Sequence, residues 1–209
     1  MPSKSILVGI TGGIGSGKSL VSKMLIENGF PVLDADSISK ELVNSDPKIK
    51  SSLIREFGQS TYKENKLNTK YLSDQVFGDE KKLKTLNSIT HPIIIKKIEE
   101  LSAELAINNK IVFVESALIF EADFEDIFDY IILIYTEKDK RIERVIERDK
   151  TTKKEVEKRI DSQITDDEKK GLVDFVIQNN STIEELNKKI DFVLMILRSI
   201  NINKKDSKV

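Results

Sequence analysis

The chain has 209 residues, with 34 Lys and Arg against 35 Asp and Glu, one His, no Cys and no Trp. Those counts exclude a disulfide framework, a thiolate nucleophile, a Cys-type zinc site and any cluster of imidazoles. A formal net charge of −1 supplies no general pull toward nucleic acid or an anionic membrane, so an anionic ligand must be captured by a local site. The chemistry that remains is that of carboxylates, Lys, Arg, hydroxyls and backbone amides.

Short apolar runs alternate with helix-like stretches along the chain. Ser5 to Ile10 reads as a buried strand, followed by a very short one at Pro31 to Leu33. Further strands are expected at Ile111 to Val114, Tyr130 to Tyr135 and Val173 to Ile177. Their apolarity is continuous rather than alternating, as in a parallel sheet covered on both faces. Between them, Leu20, Val21, Met24 and Leu25 give Lys18 to Asn28 a helical face that Gly29 ends. Ile38, Leu42 and Val43 mark a second helix, and Pro47 opens a third through Phe57. From Tyr71 to Ile107 helices are expected with interruptions near Gly78 and at His91-Pro92. Thr152 with Glu155, and Thr182 with Glu185, match the capping-box pattern ahead of two more helices. The polar tail from Asn203 to Val209 is expected to be disordered. No run is long enough for a signal peptide or a membrane span, so a cytoplasmic location is the default expectation.

The segment Gly12-Gly13-Ile14-Gly15-Ser16-Gly17-Lys18-Ser19 fits G-x-x-x-x-G-K-[ST] position by position, with a strand before it and a helix after it. Glycines let the backbone bend around a phosphate and aim successive N–H groups at it. The following helix adds its positive end to the same anion. Lys18 can then reach the β- and γ-phosphates, and Ser19 can hold a Mg²⁺ that bridges them.

Asp34-Ala35-Asp36 follows the second strand, on the side of the sheet where α/β folds bind ligands. Asp36 is a candidate to accept or orient the proton of an attacking hydroxyl, and equally a candidate N-cap of the next helix. Arg141, Arg144 and Arg148 share one helical face. They suit a lid that closes over a transferring phosphate, although nearby Glu137, Glu143 and Glu147 also allow a solvated, ion-paired helix. His91 is open between a functional and a packing role. Glu115 and Glu121 lie on the ligand side of the sheet and could hold a metal-bound water or a substrate group.

Together these residues resemble the dephospho-CoA kinases. The likeness runs from Ile10–Ser19 and Val32-Leu33-Asp34-Ala35-Asp36 through Val76-Phe77, His91-Pro92 and Leu118-Ile119-Phe120-Glu121. It continues in Arg144-Val145, Arg148-Asp149, Arg159-Ile160 with Gln163, and Asp174 with Asn179. The resemblance implies Mg²⁺-dependent transfer of the ATP γ-phosphate to the ribose 3′-hydroxyl of dephospho-CoA, the last step of coenzyme A biosynthesis. It implies an α/β, three-layer P-loop fold with a five-stranded parallel sheet. The core would comprise about 1–36, 108–136 and 171–200, the helical CoA-side lobe about 37–107 and the lid about 137–170.

On this resemblance Lys18, Asp36, Arg144 and Arg148 are the catalytic set. ATP would be held by Gly12 to Ser19, Leu20 and Asn179, the metal by Ser19, and dephospho-CoA by Asp36, Lys70, His91 and Glu121. The small molecule is the expected partner, with no nucleic acid or membrane, in a monomer or weak homo-oligomer. The sequence departs from the family pattern at Leu20 (usually Thr), at Thr69-Lys70 (usually containing Arg), at Ala117 (usually Pro) and at Arg141 (commonly Gln). A nucleoside or nucleotide kinase, or a nucleotide-dependent switch, is the alternative function.

Overall fold

The structure, a computed structural model, describes residues 5–206, with side chains for 5–200. In chain order the elements begin with β1 (Ile6–Thr11), α1 (Lys18–Glu27), β2 (Val32–Asp34), α2 (Ala35–Ser45) and α3 (Pro47–Phe57). They continue through β3 (Tyr62–Lys63), β4 (Lys66–Leu67), α4 (Thr69–Val76), α5 (Glu80–Ala106), β5 (Ile111–Glu115) and β6 (Tyr130–Tyr135). The last are α6 (Lys138–Asp149), α7 (Lys153–Asp161), α8 (Asp166–Lys170), β7 (Phe175–Gln178) and α9 (Ile183–Asp206). The chain divides into two compact units, one ending at Asp34 and resuming at Ser102, the other Ala35–Leu101.

Among the described residues of the first unit, five parallel strands form a sheet in the order β2-β5-β1-β6-β7. The non-consecutive neighbours require crossover connections, which is why helices cover both faces and the central strands are apolar until their carboxyl ends. Ile6, Val8 and Ile10 of β1 are fully buried with Phe113 of β5 and Ile134 of β6. Helix α1 adds Val21, Met24 and Leu25, and α9 adds Leu186, Ile190, Val193, Leu194 and Leu197, both at helical spacing. The register sets Ile10 beside Glu115 and Glu115 beside Asp34. Two acids therefore stand at the carboxyl edge of the sheet, one residue before β1 ends and the glycine-rich loop begins.

The expected strand at Val173 to Ile177 begins later, at Phe175. Asp174 explains the shift, because its carboxylate accepts the Ile131 amide at 2.8 Å and so occupies the edge where pairing would start. Helix α9 runs to Asp206, so the first part of the expected tail is helical backbone; residues 207–209 lie outside the described residues.

The second unit has its own core, in which Ile49, Leu53, Phe57 and Leu72 are buried and Leu42, Tyr62, Leu86, Ile89 and Ile93 pack around them. Asp46 caps α3 by accepting the amides of Lys48 and Ile49 at 2.8 and 2.9 Å. A two-stranded hairpin, β3 with β4, is tied to the end of α2 by Leu67 N donating to Asn44 Oδ1 at 2.8 Å. Helix α5 corrects one expectation, since it passes through His91-Pro92 unbroken. Proline there removes one hydrogen bond. Ile89 and Ile93, one on each side of it, pack into the same core, and that shared apolar face carries the helix across.

Pro92→Ala restores an amide to the middle of α5 and should raise unfolding stability by about 1–3 kcal/mol. The urea midpoint measures this; a lower midpoint would show that the helix needs the proline's shape.

Candidate active site

The first unit gathers most of the expected site. Strand β1 delivers the chain into the loop Gly12–Gly17, and α1 starts directly at Lys18. Gly17 has φ +94°, and a Cβ there would lie 2.2 Å from Asn179 Nδ2, so both backbone conformation and space demand glycine. Helix α1 has no side-chain cap and no acid in its first turn. Helices α3, α7 and α8 instead have Asp46, Thr152 and Thr165 as caps, the last two in capping boxes with Glu155 and Glu168. An uncapped helix start leaves backbone donors and the positive end of the dipole for an anion.

The loop's carbonyls are drawn onto surrounding donors. Lys18 Nζ donates to Gly12 O at 2.8 Å, and Arg141 Nε donates to Ile14 O at 2.8 Å. The Ser16 carbonyl accepts from Thr136 Oγ1 and from Asn179 Nδ2, both at 2.9 Å. Gln163 Oε1 accepts from Ile14 N at 3.0 Å. At the end of β5, the Glu115 carboxylate accepts from Ser19 Oγ at 3.1 Å and from Ser22 Oγ at 2.6 Å. Ser19 and Glu115 thus present hydroxyl and carboxylate oxygens side by side, the donor type that Mg²⁺ prefers. Among the described residues no three His, Cys, Asp or Glu side chains gather into a metal-binding cluster.

The three arginines share α6 but occupy different environments. Arg141 is buried and pairs with Asp166 at 2.5 Å, so it braces the loop and does not belong to an open lid. Arg144 donates to neutral oxygens, at 3.1 Å to Asn179 O and 3.3 Å to Thr136 Oγ1. Among the described residues it has no carboxylate partner, so its charge remains uncompensated beside the loop. Arg148 is exposed and chelates Asp149 at 2.7 and 3.2 Å, and Arg159 donates to the same carboxylate at 2.9 Å. Those hydrogen bonds hold the Asp149 carboxyl below its ordinary range and raise Arg148 further.

Several expected residues have internal duties. Asn179 spends its side-chain amide on the Ser16 carbonyl, so it supports the loop directly. Glu121 accepts from the Ile164 amide at 3.0 Å and pairs with the fully buried Lys169 at 2.9 Å. Leu20 is exposed in the first turn of α1.

In the second unit, Asp36 is exposed in the first turn of α2. Ala35 already lies inside the helix, so the residue preceding it is Asp34, and Asp36 is not the cap. Lys70 is exposed in the first turn of α4, whose cap is Asn68 accepting from Tyr71 N at 3.2 Å. His91 is half-buried in the middle of α5.

Sequence reasoning missed Thr136 as a loop support and Lys169 as a buried cation. Thr136 follows a strand directly, a position worth suspecting; Lys169 sits in the polar run Asp166–Lys170, where nothing signals burial.

Comparison with known proteins agrees with this geometry. The family model described as dephospho-CoA kinase matches residues 6–185. A curated dephospho-CoA kinase of Fusobacterium nucleatum is 36% identical over 187 residues, covering 89% of this chain and 95% of its own. A crystal structure of a Thermus thermophilus protein superposes with a TM-score of 0.82 at 30% identity, covering 93% of this chain and 98% of that one. The structure of a dephospho-CoA kinase from Campylobacter jejuni does so with a TM-score of 0.69 at 29% identity and the same coverage. With its phosphate loop, parallel sheet and matched length, the chain belongs to the dephospho-CoA kinase family.

Proposed function

We propose that the protein transfers the γ-phosphoryl group of ATP to the ribose 3′-hydroxyl of dephospho-CoA. The observation that carries this reading is a phosphate loop flanked by two cations, Lys18 from inside and Arg144 from α6, of which Arg144 has no carboxylate partner among the described residues. Phosphoryl transfer needs positioning and charge neutralisation more than covalent chemistry from the protein. The uncapped start of α1 and the loop amides hold the phosphates. Lys18 leaves the Gly12 carbonyl for the β- and γ-phosphate oxygens, and Arg144 faces the charge that develops during transfer.

Ser19, steadied by Glu115, would hold Mg²⁺, which would supply charge neutralisation to the phosphates. Asp36, two residues beyond the end of β2, takes or orients the proton of the 3′-hydroxyl. Arg148 exchanges its Asp149 partner for a phosphate when the lid closes. Lys70 and His91 are read as contributors to dephospho-CoA binding. Glu121 and Asn179 act from behind, as supports of the elements that touch ligand. No helix among the described residues is long and apolar enough to cross a membrane. The reading implies small-molecule partners only, a cytoplasmic setting and a monomer or weak homo-oligomer.

ADP release should rise strongly when dephospho-CoA is added with ATP and Mg²⁺. Stimulation by a nucleoside instead would assign the fold to another small-molecule kinase, and slow hydrolysis indifferent to either would assign a switch. Asp36→Asn should retain ATP affinity and lose turnover by about 100-fold or more; near-normal turnover would remove Asp36 from the reaction. Arg144→Ala should lower kcat by about 100-fold or more, and Arg148→Ala by less, because only Arg148 begins in an ion pair. Steady-state kinetics on purified variants rank the two, and the reverse order would reassign the transition-state cation.

A further inference from the structure

The residues around Ile14 form a device that the proposed chemistry does not use. Ile14 is the third residue of the phosphate loop, and both of its backbone polar groups are held by side chains far along the chain. Its N–H donates to Gln163 Oε1 at 3.0 Å, and its carbonyl accepts from Arg141 Nε at 2.8 Å. Arg141 is itself fixed, since Nη1 pairs with Asp166 Oδ2 at 2.5 Å and both side chains are almost fully buried. The guanidinium lies so close under the loop that a Cβ on Gly13 would fall 2.1 Å from it.

The second gripping residue comes from the same short stretch as Asp166. Gln163 and Asp166 flank the cap of α8, and this stretch is anchored to the core independently. Glu121 accepts from the Ile164 amide at 3.0 Å and pairs with Lys169 at 2.9 Å; Lys169 also donates to Ala117 O at 3.3 Å. The far end of the expected lid, about 163–170, is therefore fastened down, and its fastening reaches the phosphate loop through one residue.

We infer that Gln163 and Arg141 are positioning residues that hold Ile14 in the nucleotide-ready conformation, so that ATP does not have to order it. The inference rests on the kinase reading for its ligand, and concerns residues to which that reading gives no role. A glycine-rich loop has much conformational freedom to lose, and fixing one residue's backbone in advance is worth about 5- to 30-fold in affinity. The effect belongs to ATP binding and leaves the chemical step alone, because both side chains are spent on the Ile14 backbone and on Asp166.

Gln163→Met keeps the length and packing of the side chain and removes the acceptor. In this variant the Ile14 amide should exchange with deuterium about 10-fold faster or more, read by NMR on the full chain. KM and the calorimetric Kd for ATP should rise about 5- to 30-fold, while kcat and KM for dephospho-CoA stay within about 2-fold. Gln163→Glu retains an acceptor and should keep the Ile14 amide protected. Unchanged exchange and unchanged ATP affinity in Gln163→Met would overturn the inference, and so would a fall in kcat at constant KM. Wild-type protein that fails to bind ATP would sink the kinase reading itself, a separate result. If Gln163→Met melts far below wild type, the comparison of Gln163→Glu with wild type decides: loss of Ile14 protection there overturns the inference.

Discussion

A loop containing Gly12, Gly13, Gly15 and Gly17 within six residues has little shape of its own, because glycine gives up more backbone freedom on ordering than any other residue. Everything around it in the first unit supplies the missing constraint. The central strand ends where the loop starts, helix α1 begins where it stops, and four side chains from later in the chain take its carbonyls and one of its amides. The cradle is specified by non-local contacts with sequence separations above 100 residues. A phosphate loop read from its consensus alone is thus half a site.

The charges that brace this arrangement are arranged by burial. Arg141 with Asp166, and Lys169 with Glu121, are ion pairs whose cations are hidden from water. Such pairs contribute little net stability, since desolvation offsets most of their attraction, and here Asp166 Oδ1 and Glu121 Oε2 are each buried without a hydrogen bond. Their value is geometric: they fix one register between α6, α8 and the loop. Arg144 and Arg148 are handled differently, one resting on neutral oxygens and the other sharing an exposed carboxylate, so neither is held by a buried ion pair.

Much of this could be read from residues alone. The sheet strands are visible as short apolar runs; the inner ones, β1, β5 and β6, are buried on both faces, whereas β7 at the edge exposes Val176, and the phosphate loop carries its chemistry in its residue types. The ends of strands were less legible, as at β7, where an aspartate side chain competes for the edge amide. Pro92 misled because a local rule, that proline ends helices, lost to the packing of Ile89 and Ile93 on one core. The arginine stripe was correct as a helical face, yet its spacing could not say that Arg141 points inward. That depends on Asp166, which only the fold brings near. The β3–β4 hairpin escaped notice because two-residue strands have no periodicity to detect, and its turn uses Glu64 and Asn65 at positive φ without a glycine.

The uncapped start of α1 has a consequence for how far this protein can be stabilised. At most helix starts, evolution or engineering can add a serine or aspartate and gain about 1 kcal/mol. Position 17 refuses that improvement twice: its φ of +94° favours glycine, and a Cβ there would lie 2.2 Å from Asn179 Nδ2. The helix is therefore kept short of the stability a side-chain cap would add, and on the proposed reading the nucleotide supplies the missing cap. Stability and function are in direct opposition at this residue, so a search for more thermostable variants should find its gains elsewhere in the chain.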